Sequence, residues 1–176
     1  MATALPIPLT PFPWGDIAII LALIALNGVL AMSELAIVSA RRARLESITK
    51  KSQLRGAKTA LLLASNPGRF LSTVQIGITL IGIIAGAYSG ASLGGPVAER
   101  LLLLGVPAQW SDDISFTLVV GLTTFTSLIV GELVPKQFAL RAPEPIAVVM
   151  AMPMVVLSRV TAPLVWLLDR TSALIF

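Results

Sequence analysis

The chain has 176 residues, of which 56% are hydrophobic and 12% charged, and its formal net charge is +4 at pH 7. A soluble domain carries roughly 25% charged residues, so this composition excludes an ordinary soluble fold and predicts apolar helices that face lipid. The absence of cysteine and histidine from the sequence excludes disulfides, thiolate or imidazole metal sites, and catalysis by those residues. A bound metal would therefore need oxygen ligands.

The first predicted element is a membrane span at about residues 16–40. Residues 1–16 carry no Lys or Arg, unlike a cleavable signal peptide, so this apolar run is expected to be retained. Asn27, Ala31 and Glu34 recur at helical spacing and form one narrow polar face, while Ser33 lies on an adjoining wall. A carboxylate within hydrocarbon is costly unless it is paired or coordinated, so Glu34 is a candidate functional residue.

Basic residues follow this span closely. Eight of the thirteen Lys and Arg residues lie at positions 41–69, and residues 41–66 combine them with leucines and alanines. This pattern predicts one or two amphipathic helices on the cytoplasmic surface, where their simplest role is orientation and contact with anionic membrane lipids. The position of these charges favours membrane topology over nucleic-acid binding, and no nucleic-acid partner is expected. The N-terminus is then outside.

The second predicted span covers about residues 70–92 and carries one stripe of polar and small residues. The stripe comprises Gln75, Thr79, Gly82, Gly86 and Ser89. The two glycines form a small-xxx-small pair, which is typical of close helix packing. For Gln75 and Thr79, interhelical hydrogen bonding and ion coordination are equally open.

The third predicted span covers about residues 113–135. Hydroxyl side chains precede its end, at Thr123, Thr124, Thr126 and Ser127. Pro135 has no amide hydrogen, so it frees the carbonyl of Gly131, and a free carbonyl beside the Glu132 carboxylate is a plausible oxygen site. In the alternative interpretation, Pro135 and Lys136 end the helix at the interface and Glu132 pairs with Lys136 one turn later.

The last apolar region, at residues 143–175, is interrupted by Pro153, Arg159 and Pro163. These interruptions favour a juxtamembrane helical belt, formed by a pair of short helices in or near the inner leaflet, with a break near Pro163. A fourth span is the alternative. With the belt, the C-terminus is cytoplasmic.

The three spans together offer amide, hydroxyl, carbonyl and carboxylate oxygens, the set that hard cations such as Mg²⁺ and Ca²⁺ prefer. Na⁺ is compatible with the same ligands. An intramembrane enzyme that uses Glu34 and Glu132 as an acid and base is disfavoured, because the sequence contains no recognisable nucleophile motif. No enzymatic activity is expected.

Three ordered motifs carry a family resemblance. Residues 27–36 read Asn-Gly-Val-Leu-Ala-Met-Ser-Glu-Leu-Ala and are followed by the basic stretch 39–46. Residues 75–80 read Gln-Ile-Gly-Ile-Thr-Leu, and residues 131–136 read Gly-Glu-Leu-Val-Pro-Lys. This pattern resembles the membrane domain of the CNNM/CorC family, and in particular its bacterial CorC branch.

The resemblance implies a homodimeric Mg²⁺ transporter in the bacterial inner membrane, with three transmembrane helices and a juxtamembrane belt in each protomer. It further implies Mg²⁺ export by alternating access, with Na⁺ entry as the driving force, and cytoplasmic CBS domains in the full-length protein. The family's ion site corresponds here to Asn27, Ser33, Glu34, Gln75, Thr79, Gly131 and Glu132, with Ser89 ranked lower. The alternative function is a non-transporting anchor or regulatory module of divalent-cation homeostasis.

Overall fold

The computed structural model describes residues 9–52 and 54–172, and in these ranges every regular element is a helix. In chain order the helices are α1 (Trp14–Ser39), α2 (Arg42–Ser52), α3 (Arg55–Ser65), α4 (Gly68–Leu103), α5 (Ala108–Leu128), α6 (Val134–Arg141) and α7 (Pro143–Ser172). A π-helical segment, Ile129–Leu133, joins α5 to α6 without a break. The predicted all-α class is confirmed.

Within residues 9–52 and 54–172, four stretches are long and apolar enough to cross a membrane, namely Trp14–Ser39, Phe70–Leu103, Ala108–Arg141 and Pro143–Leu168. The first three contain the three predicted spans. Most of their residues are not buried within the chain, as expected for helices whose solvent is lipid. The domain is therefore an integral membrane domain, and its dimeric state remains a prediction.

Helix α4 is longer than the predicted second span. Its 36 residues extend about 54 Å, whereas the hydrocarbon core is about 30 Å thick. Its C-terminal end holds the segment that precedes α1: the Glu99 carboxylate accepts hydrogen bonds from the amide and hydroxyl of Thr10 at 2.9 and 2.8 Å. Arg100 lies over the ring of Phe12, 4.8 Å from its centroid. The start of α1 is thereby fixed against the end of α4.

A cluster of buried apolar residues, here called the basal core, joins α1 to the surface helices. It consists of Leu30, Ala36, Ile37, Ala40, Leu45, Ala60, Phe70, Val74, Ala139, Ala147, Ala151 and Met154. Half of these residues are alanines, so the helix axes approach closely and dispersion contacts replace large side chains. Gly56 of α3 illustrates this approach, because a Cβ there would overlap the backbone carbonyl of Val148 in α7.

The expectation of two short helices broken near Pro163 is wrong. One helix, α7, runs from Pro143 to Ser172 and contains both Pro153 and Pro163. A proline removes one backbone hydrogen bond, but in an apolar environment the surrounding turns still satisfy their polar groups best as a helix, so the helix continues through the proline. Residues 143–168 are long enough for a crossing, and the belt stays a prediction.

Candidate functional site

A polar cavity of about 260 Å³ lies between α1, α4 and the α5–π segment. Its side-chain oxygens come from Asn27, Thr79, Thr123, Thr124, Ser127 and Glu132, and its floor includes Gly82 and Gly86. In hydrocarbon such a concentration of oxygen is costly unless it is satisfied by water, by another helix or by an ion. This cavity is the candidate functional site.

The π-helical segment gives the cavity its shape on one side. The amide of Val134 donates to the carbonyl of Ile129, five residues earlier, as in a π-helix. Pro135 cannot donate, so the Gly131 carbonyl lacks its usual helical partner. Single-turn π segments of this kind occur frequently at functional sites, because they displace one residue from the regular helical path.

The side chain of Asn27 supplies the missing partner. Its Nδ2 donates to the Gly131 carbonyl at 3.1 Å, which confirms that this carbonyl is available outside its own helix. The contact requires α1 to approach the π segment closely: a Cβ on Gly131 would lie 3.1 Å from the Ile24 carbonyl, and one on Gly28 would lie 3.0 Å from Cγ of Pro135. Glycine at both positions therefore lets Asn27 reach Gly131.

The other amide atom of Asn27 has no partner. Asn27 is only 4% exposed, and its Oδ1 is buried without a hydrogen bond to any described residue. Nδ2 must face the Gly131 carbonyl, since only the nitrogen can donate, so Oδ1 is left as a buried acceptor on a residue that lines the cavity. A buried acceptor without a hydrogen bond costs about 1–3 kcal/mol, so a cation or donor that bound Oδ1 of Asn27 would remove that cost.

Glu132 is the only carboxylate among the described residues that line the cavity. Its Oε1 lies 2.8 Å from Nζ of Lys136, and both side chains are about one-third exposed. The pairing anticipated as an alternative to ion binding therefore exists, yet Glu132 still borders the cavity. The described residues contain no group of three or more acidic side chains placed to hold a metal. An ion here would be held by one carboxylate and several neutral oxygens.

Four of the seven residues predicted from the resemblance converge on this site. Asn27, Thr79 and Glu132 line the cavity, and Gly131 adjoins it through its bond to Asn27. Ser33 is buried and does not line the cavity. Its hydroxyl donates to the Val29 carbonyl of its own helix at 2.6 Å, and the Thr79 hydroxyl likewise donates to the Gln75 carbonyl at 2.9 Å.

Glu34, Gln75 and Ser89 also lie outside the cavity lining. Glu34 is seven residues beyond Asn27, about 10 Å along the helix. Gln75 is exposed on α4, and the Ser89 hydroxyl donates to the Gly86 carbonyl at 2.9 Å. Distance along the helix and bonds within one helix thus separate these residues from Glu132.

Three lining hydroxyls were absent from the predicted set: Thr123, Thr124 and Ser127. Threonine in an apolar helix commonly bonds its own backbone, as Thr126 does with Leu122 at 2.8 Å, so the residue type alone is a weak signal. A better signal was available, since Thr123, Ser127 and Gly131 follow one another at four-residue steps.

The two glycines of α4 have a different role from the one expected. A Cβ on Gly82 or Gly86 would meet no atom of the chain within 4 Å, so the prediction of close packing at these positions is wrong within the protomer. They leave space at the cavity instead. Close packing occurs one turn further, where a Cβ on Gly90 would lie 2.7 Å from the Phe116 ring.

Comparison with known proteins gives a consistent family match. Residues 18–176 match the family described as the cyclin M transmembrane N-terminal domain, CNNM. The UPF0053 protein sll0260 of Synechocystis is 49% identical over 157 residues, which cover 89% of this chain and 35% of that protein. The UPF0053 protein YhdT of Bacillus subtilis is 35% identical, covering 87% of this chain and 33% of that protein.

A further relative, the polyamine export protein of Escherichia coli K12, is 31% identical over 162 residues, covering 92% of this chain and 36% of that protein. The chain thus spans about a third of the length of the curated relatives it matches.

Proposed function

The chain belongs to the family of the cyclin M transmembrane N-terminal domain, and from that premise we propose that it is the membrane domain of a cation exporter whose cargo is Mg²⁺. The observation that carries the proposal is that Asn27, whose buried Oδ1 has no hydrogen-bond partner among the described residues, lines the same cavity as Glu132. An ion between α1 and the π segment would satisfy the first and neutralise the second.

The donor set supports Mg²⁺ as the cargo. The polar groups that line the cavity are amide, hydroxyl and carboxylate oxygens, and Mg²⁺ takes six oxygen ligands while losing its waters reluctantly. A cavity of about 260 Å³ holds roughly eight water volumes. It therefore has room for Mg²⁺ with part of its water shell, so that one carboxylate and a few neutral oxygens suffice.

The proposed direction of cation transport rests on the charge distribution and the family, and its proposed coupling to Na⁺ rests on the family. By the positive-inside rule, the positive charge of α2 and α3 supports a cytoplasmic position for these helices, with the N-terminus outside and the C-terminus inside a bacterial inner membrane. In this orientation, export carries Mg²⁺ from the cytoplasm to the outside, and Na⁺ entry in the opposite direction would drive it.

Two further parts of the proposal concern assembly. The exposed polar side chain of Gln75, which lies outside the cavity on a predicted membrane span, supports a homodimer that covers it. The length of the relatives supports a cytoplasmic portion, with CBS domains, in the complete protein.

A polyamine is the second candidate cargo. Two observations favour it: the printed name of the Escherichia coli relative, and the contact between Glu132 and Lys136, in which a primary alkylammonium already sits 2.8 Å from the carboxylate. The ends of a polyamine have the same chemistry. Mg²⁺ remains the first candidate, since the cavity lining provides a single carboxylate whereas a polyamine carries several separated charges.

The test is cation flux in proteoliposomes containing the full-length protein, with Glu132→Gln as the variant. Glu46→Gln is the matched control, because it removes the same charge from an exposed position on α2. We expect Glu132→Gln to lower Mg²⁺ flux at least about tenfold, the loss of roughly 1.4 kcal/mol of binding, and Glu46→Gln to retain it.

Each other outcome points to a different function. Flux of spermidine without flux of Mg²⁺ would select the polyamine candidate. The absence of both fluxes in the wild type would favour the anchor or regulatory module. Wild-type Mg²⁺ flux in Glu132→Gln would exclude this cavity as the path.

A further inference from the structure

The ion pair between Lys136 and Glu132 lies where the proposed cargo would bind. Lys136 Nζ is 2.8 Å from Oε1 of Glu132. Glu132 lines the cavity and Lys136 does not, so the ammonium approaches the carboxylate from outside the cavity. The carboxylate therefore has the cavity on one side and the Lys136 ammonium on the other.

The pair is one that an arriving ion can displace. The side chains of Lys136 and Glu132 are 32% and 33% exposed, so their attraction is partly screened and the lysine can regain water when it leaves. Among the described residues the ammonium bonds Oε1 and no donor bonds Oε2. Because a carboxylate has two oxygens, a cation that reaches Glu132 can contact Oε2 before the lysine has moved.

Charge then disfavours the presence of the Lys136 ammonium and a divalent cation at the Glu132 carboxylate at the same time. Lys136 and Glu132 are together neutral. A divalent cation added to the intact pair would bring the net charge to +2, with the ammonium and the cation within a few ångströms of each other. The repulsion between the ammonium and a divalent cation at that distance is unfavourable even where partial exposure screens it. Lys136 has a flexible four-carbon stem and stands one helical turn nearer the end of α6, on the side where the sequence predicts the cytoplasm, so it can withdraw into water.

From this geometry we propose that Lys136 is a built-in competitor for the cargo site: it neutralises Glu132 when the cavity is empty and is displaced when the transported cation binds. The inference rests on the proposed function and adds the regulation of the same carboxylate. Its consequence is that Lys136 weakens cargo binding while keeping the empty carboxylate neutral. A lysine that only stabilised the end of the helix would have no effect on cargo affinity.

Calorimetric titration of Mg²⁺ into purified full-length protein tests the proposal with the variant Lys136→Met. At the upper end of the range measured for partly exposed ion pairs, the ammonium holds its carboxylate about three- to fivefold, so removing it should tighten Mg²⁺ binding by about that factor. Lys136→Arg restores the charge and should restore wild-type affinity. Arg141→Met is the matched control, because it removes an exposed charge from the same helix, and its affinity should change less than twofold.

Transport provides a second readout. In proteoliposomes, Lys136→Met should lower the KM for Mg²⁺ by the same factor without raising the maximal rate. Thermal unfolding of each variant checks that it is folded, and Lys136→Gln replaces Lys136→Met in the same titration if the latter does not fold.

Three results would overturn the inference. Affinity in Lys136→Met equal to or weaker than wild type would show that the lysine does not compete. An equal gain in Arg141→Met would show a general effect of surface charge. Binding of neither Mg²⁺ nor spermidine to the wild type would instead remove the proposed function, and this inference with it.

Discussion

Two glutamates of this chain, Glu132 and Glu144, lie in contrasting surroundings. Glu144 is 5% exposed; its carboxylate accepts the amide of Arg41 at 3.5 Å and lies 3.6 Å from the guanidinium of Arg44. Glu132 is far more exposed and borders open space. A carboxylate enclosed by donors holds helices together, whereas one beside a cavity can exchange its partner.

The same contrast separates the regions around them. Glu144 adjoins the basal core, where alanines let α1, α3 and α7 pack without gaps. Near Glu132 a cavity lies between α4 and α5. Gly82 and Gly86 line it, and a Cβ on either glycine would meet no atom within 4 Å. The difference shows that small residues serve opposite purposes in one membrane domain: close approach in the basal core and open volume at the cavity.

The largest expected effect on stability distinguishes two glycines. Gly56→Ala places a methyl group against the Val148 carbonyl, which cannot move without shifting α7, so it should lower the free energy of unfolding by about 1–3 kcal/mol. Gly82→Ala meets no atom within 4 Å and should be neutral or stabilising by up to about 1 kcal/mol. Thermal unfolding in detergent measures both. Equal changes in the free energy of unfolding for Gly56→Ala and Gly82→Ala would contradict the distinction between packed and open glycines.

A smaller effect compares the two glutamates themselves. Glu144→Gln keeps the shape of the side chain but removes a buried charge that serves Arg41 and Arg44; the expected loss is about 1 kcal/mol, since Arg44 is 68% exposed and its ion pair is screened. Glu132→Gln should change stability by less than about 0.5 kcal/mol. Chemical or thermal denaturation of the two variants checks the order, and a greater loss in Glu132→Gln would reverse it.

The smallest expected effect concerns the hydroxyls of α5. Thr123→Val removes one neutral oxygen from the cavity lining and should weaken Mg²⁺ binding about two- to fivefold. Thr126→Val is the control, because its hydroxyl bonds Leu122 of its own helix and does not line this cavity. Calorimetric titration measures both affinities. A change confined to Thr126→Val would place the ion elsewhere.

Local sequence predicted the positions at which polar groups occur along each helix. Pro135 predicted that the Gly131 carbonyl is open to a partner outside its helix, and in the structure this carbonyl accepts a hydrogen bond from Asn27. The i, i+4 spacing of Glu132 and Lys136 indicated an ion pair as the alternative to an ion site, and that pair is present. These predictions succeeded because each depends on backbone chemistry within one or two helical turns.

Predictions that depended on two helices at once succeeded only in part. Ser33, Glu34 and Gln75 were grouped with Glu132 because their motifs suggested one site, but the lining instead combines Asn27 and Thr79 with the hydroxyls of α5. A helical repeat determines which residues share a face, yet the facing helix can rotate or slide by a turn without changing that repeat.

The sequence by itself determined an all-helical membrane domain. The oxygen ligands and the sidedness expected from its basic segment stay predictions. Only the tertiary structure decided which oxygens share a cavity, that Gly82 and Gly86 open space instead of closing it, that α7 continues through its prolines, and that Glu144 is buried. Composition and periodicity act within a helix, whereas cavities and burial arise from the rotation and axial offset between helices.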